Sequence, residues 1–211
     1  MFVPPPPEQV PQLLGDLEQF IHAEPAPLLF IIAIVHAQFE TIHLFLDGNG
    51  RIGRLLITAL LEHWNLLKEP LLYLSGYLKR NQTEYYRLLS ATRADSAWEA
   101  WVSFFLVGVT EAAAEAERSV VDVATLVTAD RRHLLESPKA NSAAFRLFEL
   151  LPRMPRFTVE KARQQLTTSF PTANAAVKLL TELGIVTERT GQRKNRTFGY
   201  QNYIALLARA E

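Results

Sequence analysis

The sequence predicts a mainly α-helical protein, in which an all-α domain is followed by a small domain of helices with a short β-hairpin. Two observations support this fold class. Apolar residues recur at helical spacing through Leu55–Leu67 and Trp98–Val109, and two strand-like runs follow near the end, at 185–189 and 196–200. A chain of 211 residues is also long enough to bury a sizeable core and to divide into two domains.

The charge distribution indicates a boundary between these two parts. Residues 1–137 hold 10 Lys and Arg against 17 Asp and Glu, a net charge of −7. Residues 138–211 hold 12 against 5, a net charge of +7, so the whole chain is neutral. Because Pro138 discourages helix at the residue before it, we place the boundary at Ser137–Pro138. The two parts are therefore expected to face different partners.

The first part is predicted to consist of helices that follow an extended arm of four prolines at 4–7. The predicted helices run from about Glu8 to Ala23, Ile31 to Ile42, Arg51 to Leu67, Trp98 to Val109 and Ala112 to Leu135. The aromatic residues of the fourth helix, Trp98, Trp101, Phe104 and Phe105, are interpreted as core packing. The fifth helix is expected to connect the domains, which gives predicted ranges of 1–115, 116–137 and 138–211.

The second part is predicted to contain three helices and then two strands. The helices run over Ser142–Leu151, from the capping residue Thr158 to about Leu166, and from Pro171 to Leu183. Gly184 ends the third helix, and the strands Ile185–Arg189 and Arg196–Tyr200 flank a loop at 191–195. This order resembles a winged helix-turn-helix.

A winged helix could bind DNA with its third helix in the major groove and its hairpin on the phosphates. The expected groove contacts are Thr172, Asn174 and Lys178, and the expected phosphate contacts are Arg193, Lys194 and Arg196. Such modules also mediate dimerisation or protein docking. DNA binding and self-association, including as a homodimer, therefore both stay open.

The stretch His43–Arg54 combines groups that suit a metal-bound polyphosphate. A glycine loop feeds a helix N-terminus, whose unpaired N–H groups and partial positive charge attract phosphate oxygens. Gly48 and Gly50 let the backbone approach a ligand closely. Arg51 and Arg54 lie three residues apart and share a helix face. Because the helix dipole disfavours cations at this end, their placement favours a bound anion.

Four other residues of this stretch have expected roles. Asp47 is a hard oxygen ligand of the kind that holds magnesium when a nucleotide supplies further ligands. His43 can accept a proton near neutrality and is assigned as general base. Asn49 tolerates a left-handed turn, and Phe45 is expected to anchor the loop in the core. A lone histidine or Gly-Asn-Gly is more often structural, but the combination favours catalysis.

This stretch resembles the signature of the Fic family, His-x-Phe-x-Asp/Glu-Gly-Asn-Gly-Arg-x-x-Arg. All eight fixed positions are filled, although Leu44 stands where many members have proline. The resemblance covers roughly residues 1–115 and includes residues 2–7, Ile31–Ile42 and Asn81–Tyr86. The winged-helix pattern is also seen at the tail of many Fic proteins.

The resemblance implies a magnesium-dependent protein adenylyltransferase, which transfers AMP from ATP to a Tyr, Thr or Ser hydroxyl of a target protein and releases pyrophosphate. His43 would deprotonate the hydroxyl, and Asp47 would hold Mg²⁺. The backbone of Gly48, Asn49 and Gly50, with the Asn49 side chain, would form the anion hole. Arg51 and Arg54 would hold the phosphates, and Tyr86 matches a position near the adenine.

Details of the resemblance bear on the reaction and its control. Gly50 favours adenylylation, because relatives that act as kinases have lysine there. An inhibitory helix in many relatives carries Ser/Thr-x-x-x-Glu-Gly/Asn, but Thr58–Glu62, which has this spacing, is interpreted as ordinary helix surface. The chain begins after the positions of that helix and of the target-docking flap. We therefore expect an N-terminally shortened protein with an unrestrained Arg54.

Two alternatives to adenylyl transfer stay open. One is a DNA-binding regulator whose Fic domain senses nucleotide without transferring it. The other is a Fic enzyme that runs the reverse reaction and removes AMP.

Composition excludes some kinds of site: the chain has no cysteine, so it has no disulfides and no thiolate metal sites. With no leader and with Leu28–Val35 too short to span a bilayer, a cytoplasmic location without a membrane partner is expected.

Overall fold

The computed structural model of the chain describes residues 3–23, 26–68, 72–192 and 196–209. Its backbone is mainly helical with a small three-stranded sheet, which confirms the predicted fold class at that level. The chain divides into two compact units, residues 1–116 and 117–211. No helix in these described ranges has both the length and the apolar character needed to cross a membrane.

The first unit is built from helices. A 3₁₀ turn at Pro7–Gln9 precedes α1 (Val10–Ala23), α2 (Leu28–Ile42), α3 (Asn49–His63), α4 (Leu74–Arg80), α5 (Gln82–Asp95) and α6 (Trp98–Glu136), of which residues 98–116 belong to this unit. The helix α3 begins two residues before the predicted Arg51, because the amides of Arg51 and Ile52 both donate to the Gly48 carbonyl. It ends at His63 rather than Leu67, and Asn65 beyond it has a φ of 55°.

The helix α6 is continuous, so the predicted break between Val109 and Ala112 is wrong. The residues between them are not strong helix breakers, and α6 continues through them. Gly108 has a packing role instead: a Cβ placed there would lie 2.5 Å from Cδ1 of Tyr77. The glycine lets the tyrosine ring pack directly against the α6 backbone.

The core of the first unit surrounds α2. The side chains of Ile32, Ala33 and Val35 are fully buried. The indole N–H of Trp101 donates to the Ala33 carbonyl at 2.8 Å, which ties α6 to the centre of α2. The predicted aromatic core is confirmed, because Trp101 and Phe105 are fully buried, and Trp98 and Phe104 pack against the same core.

The second unit contains α7 (Ser142–Leu150), β1 (Arg156–Thr158), α8 (Val159–Leu166), α9 (Phe170–Glu182), β2 (Thr187–Glu188), β3 (Thr197–Gly199) and α10 (Gln201–Arg209). The strands form an antiparallel sheet in the order β1-β3-β2, in which Gly199 lies opposite both Arg156 and Thr187. The sequence did not predict β1 or α10. Both predicted strands are shorter than expected, and Ile185 and Val186 are buried in the core before β2 begins.

Side-chain caps define the helices of the second unit. Asn141 accepts a hydrogen bond from the Ala144 amide, Thr158 from Lys161 and Ser169 from Thr172. The predicted cap at Thr158 is therefore confirmed. The buried Tyr200 donates its hydroxyl to Asp130 of α6 at 2.7 Å, which joins the end of the sheet to the C-terminal part of that helix. The assignment of this unit as a winged helix stays a prediction.

Candidate active site

His43 lies at the C-terminal end of α2, where the chain leaves the helix. Its backbone is left-handed, with φ 51° and ψ 53°, and its amide donates to the Phe39 carbonyl at 3.1 Å. The side chain is half-buried. This backbone turn directs residues 44–48 away from α2 and into the loop that leads to α3.

The first turn of α3 has the features of an anion site. Gly48 is its N-cap, with φ 92°, so no side chain caps the helix there. Arg51 pairs with Asp47 at 3.2 Å, and their side chains are 75% and 94% exposed. An ion pair this exposed contributes little to stability. Both groups are therefore accessible to a ligand that carries phosphate and a cation.

Asn49 has a role that the sequence analysis did not predict. The residue is 3% exposed, and its side-chain oxygen accepts the Phe45 amide at 2.8 Å. Its Nδ2 donates to the Phe45 carbonyl. The side chain thus holds the loop closed, and its expected part in an anion hole stays a prediction. The prediction that Phe45 anchors the loop in the core is wrong: the residue is 39% exposed. The loop is held instead by the hydrogen bonds of Asn49 to the Phe45 backbone.

Arg54 and Tyr86 share a pocket of about 300 Å³. The pocket is lined by Arg54, Tyr73, Ser75, Leu78, Lys79, Gln82, Tyr85 and Tyr86. Its volume is at the lower end of the range for small-molecule sites. Tyr86 is 57% exposed, and its ring packs at 65° to the Tyr85 ring with the centroids 5.1 Å apart. Its exposed surface is accessible to a planar ligand. The structure thus brings the second motif arginine and the predicted adenine contact together.

A group of buried polar residues behind α3 was missed by the sequence analysis. His36 and Glu40 of α2 are 1% and 7% exposed. Nε2 of His36 lies 3.0 Å from the Tyr85 hydroxyl, and burial lowers the pKa of His36 to about 4. Burial likewise raises the pKa of Glu40. The sequence did contain a sign of this group, because His36 and Glu40 lie four residues apart, on one face of an otherwise apolar helix.

Arg93 of α5 ties this group to the end of α2. Its Nε donates to Thr41 Oγ1 at 3.0 Å, and its Nη2 donates to the Glu40 carbonyl, also at 3.0 Å. A cation at a helix C-terminus is stabilised by the helix dipole. Arg93 thus supports the segment that carries His43.

The donor set fits a magnesium ion that arrives with a nucleotide. In the described ranges, no three His, Cys, Asp or Glu side chains gather into a group that could hold a metal. Magnesium sites often use one or two carboxylates and complete their coordination with substrate phosphates and water. Asp47, exposed and next to the first turn of α3, suits that role.

The predicted DNA contacts of the second unit are already engaged with neighbours. Arg196 pairs with Glu188 at 3.4 Å and donates to Asn174. Lys178 lies 3.7 Å from Glu182, and the Thr172 hydroxyl hydrogen-bonds to the Ser169 hydroxyl. Asn174, Lys178 and Arg196 line one pocket of about 340 Å³, while Arg193 and Lys194 lie outside the described residues. Two of the four described contacts are therefore neutralised by acidic side chains.

Comparisons with known proteins agree with the signature of the loop. Residues 1–61 match the family model described as the Fic/DOC family. A probable protein adenylyltransferase of Aquifex aeolicus (strain VF5) is 42% identical over 67 residues, which cover 31% of this chain and 21% of that protein. The crystal structure of a Fic family protein from Desulfovibrio desulfuricans G20 matches with a TM-score of 0.51 and 23% identity.

That structural match covers 93% of this chain and 56% of the solved one, and at this identity it supports the fold alone. The chain thus spans less than two thirds of either protein's length. The family match contains the loop from His43 to Asp47 and the first turn of α3. The similarity to the Fic/DOC family therefore lies in residues 1–61 of this chain.

Proposed function

We propose that the chain is a protein adenylyltransferase, which transfers AMP from ATP to a Tyr, Thr or Ser hydroxyl of a target protein. The observation that carries this proposal is the N-terminal part of α3, which has a glycine N-cap and carries Arg51 and Arg54 in its first two turns. The name of the Aquifex aeolicus relative supports the same class of reaction. ATP is the substrate, and the target protein is the partner.

The phosphates would lie at the N-terminus of α3. The N–H groups of the Gly48–Gly50 backbone and the two guanidinium groups supply donors for the phosphate oxygens. The adenine ring of ATP would lie in the pocket that Arg54 shares with Tyr86. Lys79 adds a further positive charge to the lining of that pocket.

Asp47 would hold Mg²⁺ together with the phosphates of ATP. The ion would neutralise phosphate charge in the bound nucleotide. Its binding requires Asp47 to leave the ion pair with Arg51, which is an inexpensive exchange at an exposed position. Arg51 is then available for a phosphate oxygen.

In the proposed reaction, the hydroxyl oxygen of the target attacks the α-phosphorus of ATP. The bond from that phosphorus to the bridging oxygen of the β-phosphate breaks, and pyrophosphate leaves. His43 accepts the hydroxyl proton, so the products are an AMP ester, pyrophosphate and a protonated imidazole. Placement of the reactants and neutralisation of phosphate charge would supply most of the catalysis.

The experiment uses purified protein, magnesium and α-labelled ATP, with a cell lysate as the source of targets. His43→Ala is expected to lower protein labelling by about 10²- to 10⁴-fold, the usual contribution of a general base. His22→Ala is the matched control, because His22 is an exposed histidine of α1 outside the site. Equal labelling by the wild type and His43→Ala would remove the proposed role of His43.

A further inference from the structure

The carboxyl group of Glu40 lies against the first turn of α3. A Cβ placed on Gly53 would be 2.5 Å from Glu40 Oε1, and one placed on Gly50 would be 3.8 Å from it. The same position at Gly50 is 3.3 Å from Arg54 Nη1. Because Gly50 and Gly53 have no side chains, the buried Glu40 carboxyl can lie close to the start of α3, which carries Arg51 and Arg54.

Glu40 Oε1 is buried without a hydrogen bond to any described residue. His36 Nδ1 lies 3.2 Å from the Cβ position at Gly53, and a hydrogen bond with the Gly53 backbone acts to raise the pKa of His36. Unpaired buried polar atoms are rare in folded proteins and cost free energy. The unpaired Glu40 Oε1, next to a candidate ligand site, therefore requires an explanation.

The charges around Glu40 depend on whether the site is filled. His43 at the end of α2, Arg54 of α3 and Arg93 of α5 attract its ionised form, while burial favours the neutral form. The remaining titratable groups that face it are His36 of α2 and Tyr85 of α5. A polyphosphate bound at Arg54 would add negative charge and compete for the attraction of that guanidinium.

We propose that Glu40 takes up a proton when a polyphosphate binds to the first turn of α3, so that the occupied site contains a neutral carboxyl. This proposal rests on the nucleotide site of the proposed function. The neutral form removes the cost of holding an ionised carboxylate oxygen in a buried position without a hydrogen bond.

Proton uptake links nucleotide affinity to pH. Because the ligand raises the pKa of the carboxyl, affinity increases as pH falls through the range between the pKa values of the free and the bound protein. Each unit by which binding raises that pKa corresponds to about a tenfold gain in affinity across the range. Glu40→Gln resembles the neutral carboxyl and lacks this dependence.

The test is isothermal titration calorimetry of magnesium–ATP binding in two buffers of different ionisation enthalpy at the same pH. The difference in binding enthalpy between the buffers, divided by the difference in their ionisation enthalpies, gives the number of protons taken up. Protons that the nucleotide itself gains or loses are the same for every variant, so they cancel when variants are compared. Glu62→Gln is the matched control, because Glu62 is an exposed carboxylate of α3. The wild type and Glu62→Gln are expected to take up as much as one proton more than Glu40→Gln.

Equal proton numbers in all three proteins would overturn the proposal and leave the nucleotide site intact. A wild type that binds no ATP would overturn the nucleotide site together with this proposal. If Glu40→Gln does not fold, ¹³C NMR of the glutamate carboxyl groups in the wild type gives the same answer. One glutamate titration midpoint should rise when nucleotide is added, and a set of unchanged midpoints would contradict the proposal.

Discussion

The side chain of Asn49 binds both backbone groups of Phe45: its Oδ1 accepts the amide at 2.8 Å, and its Nδ2 donates to the carbonyl. The contact closes the loop that separates His43 from the first turn of α3. The relative position of the proposed base and the proposed phosphate site therefore depends on a buried amide side chain.

Asn49→Ala removes both hydrogen bonds and is expected to lower the free energy of unfolding by about 1–3 kcal/mol. Because the loop loses its closure, ATP affinity should fall as well. Urea unfolding and calorimetry measure the two effects. Asn202→Ala, at an exposed position in α10, should change stability by less than about 0.5 kcal/mol. An Asn49→Ala protein as stable as the wild type would refute this role.

Gly53→Ala is expected to destabilise the protein by about 1–3 kcal/mol, because the new methyl group would overlap the buried Glu40 carboxyl and approach the His36 ring. The usual gain from replacing a helical glycine runs in the opposite direction. Gly15→Ala in α1 tests that gain, since a Cβ there meets nothing within 4 Å. In denaturant unfolding, the free energy of unfolding should be lower than that of the wild type for Gly53→Ala and higher for Gly15→Ala.

Arg54→Ala is expected to weaken ATP binding by roughly 10- to 150-fold, the range for loss of charge-assisted hydrogen bonds to phosphate. The half-buried guanidinium lines the pocket with Tyr86, so its loss removes a contact at the centre of the proposed site. Calorimetric titration measures the effect. Arg118→Ala, an exposed arginine of α6, should bind like the wild type, and equal affinity for Arg54→Ala would contradict the phosphate assignment.

His36 gives the protein a defined dependence of stability on pH. Its folded pKa of about 4 lies below the unfolded value of 6.5, so the unfolded state binds more protons in between. The free energy of unfolding should therefore fall as pH decreases through that window, by as much as about 1.4 kcal/mol per pH unit.

Glu40 has the opposite effect on the free energy of unfolding. Because its pKa is raised in the folded protein, its contribution to stability is lost as pH rises. The comparison of the wild type with His36→Gln isolates the histidine. Urea unfolding between about pH 4 and 6.5 should give a shallower slope for the variant. Equal slopes would show that His36 titrates alike in the folded and unfolded states.

The chemistry of the loop could be predicted from the sequence because it depends on residues that are close in the chain. Gly48, Arg51 and Arg54 lie within seven residues at the start of α3, so spacing alone placed them together. The partners of Glu40 could not be predicted in this way. Its surroundings arise where α2 and α5 meet the two glycines of α3, and the contact of His36 with Tyr85 joins residues 49 positions apart.

The errors in the fold prediction have the same physical origin. The break in α6 was expected because separate helices were assigned to Trp98–Val109 and Ala112–Leu135, but Thr110 and Glu111 permit helix and α6 runs through them. The strand β1 depends on its pairing with β3, about 40 residues later, which local propensity does not indicate. Phe45 is apolar, yet Asn49 binds its backbone and the residue is 39% exposed.

The measurement that tests the central proposal most directly compares ATP labelled at the α-phosphate with ATP labelled at the γ-phosphate. Each is incubated with the wild-type protein, magnesium and a cell lysate, and the proteins are then separated. Relative to lysate without the protein, adenylyl transfer predicts added label on protein from α-labelled ATP alone, and its loss in His43→Ala. Added label from γ-labelled ATP, or no added label on protein while ATP is bound, would contradict the proposed function.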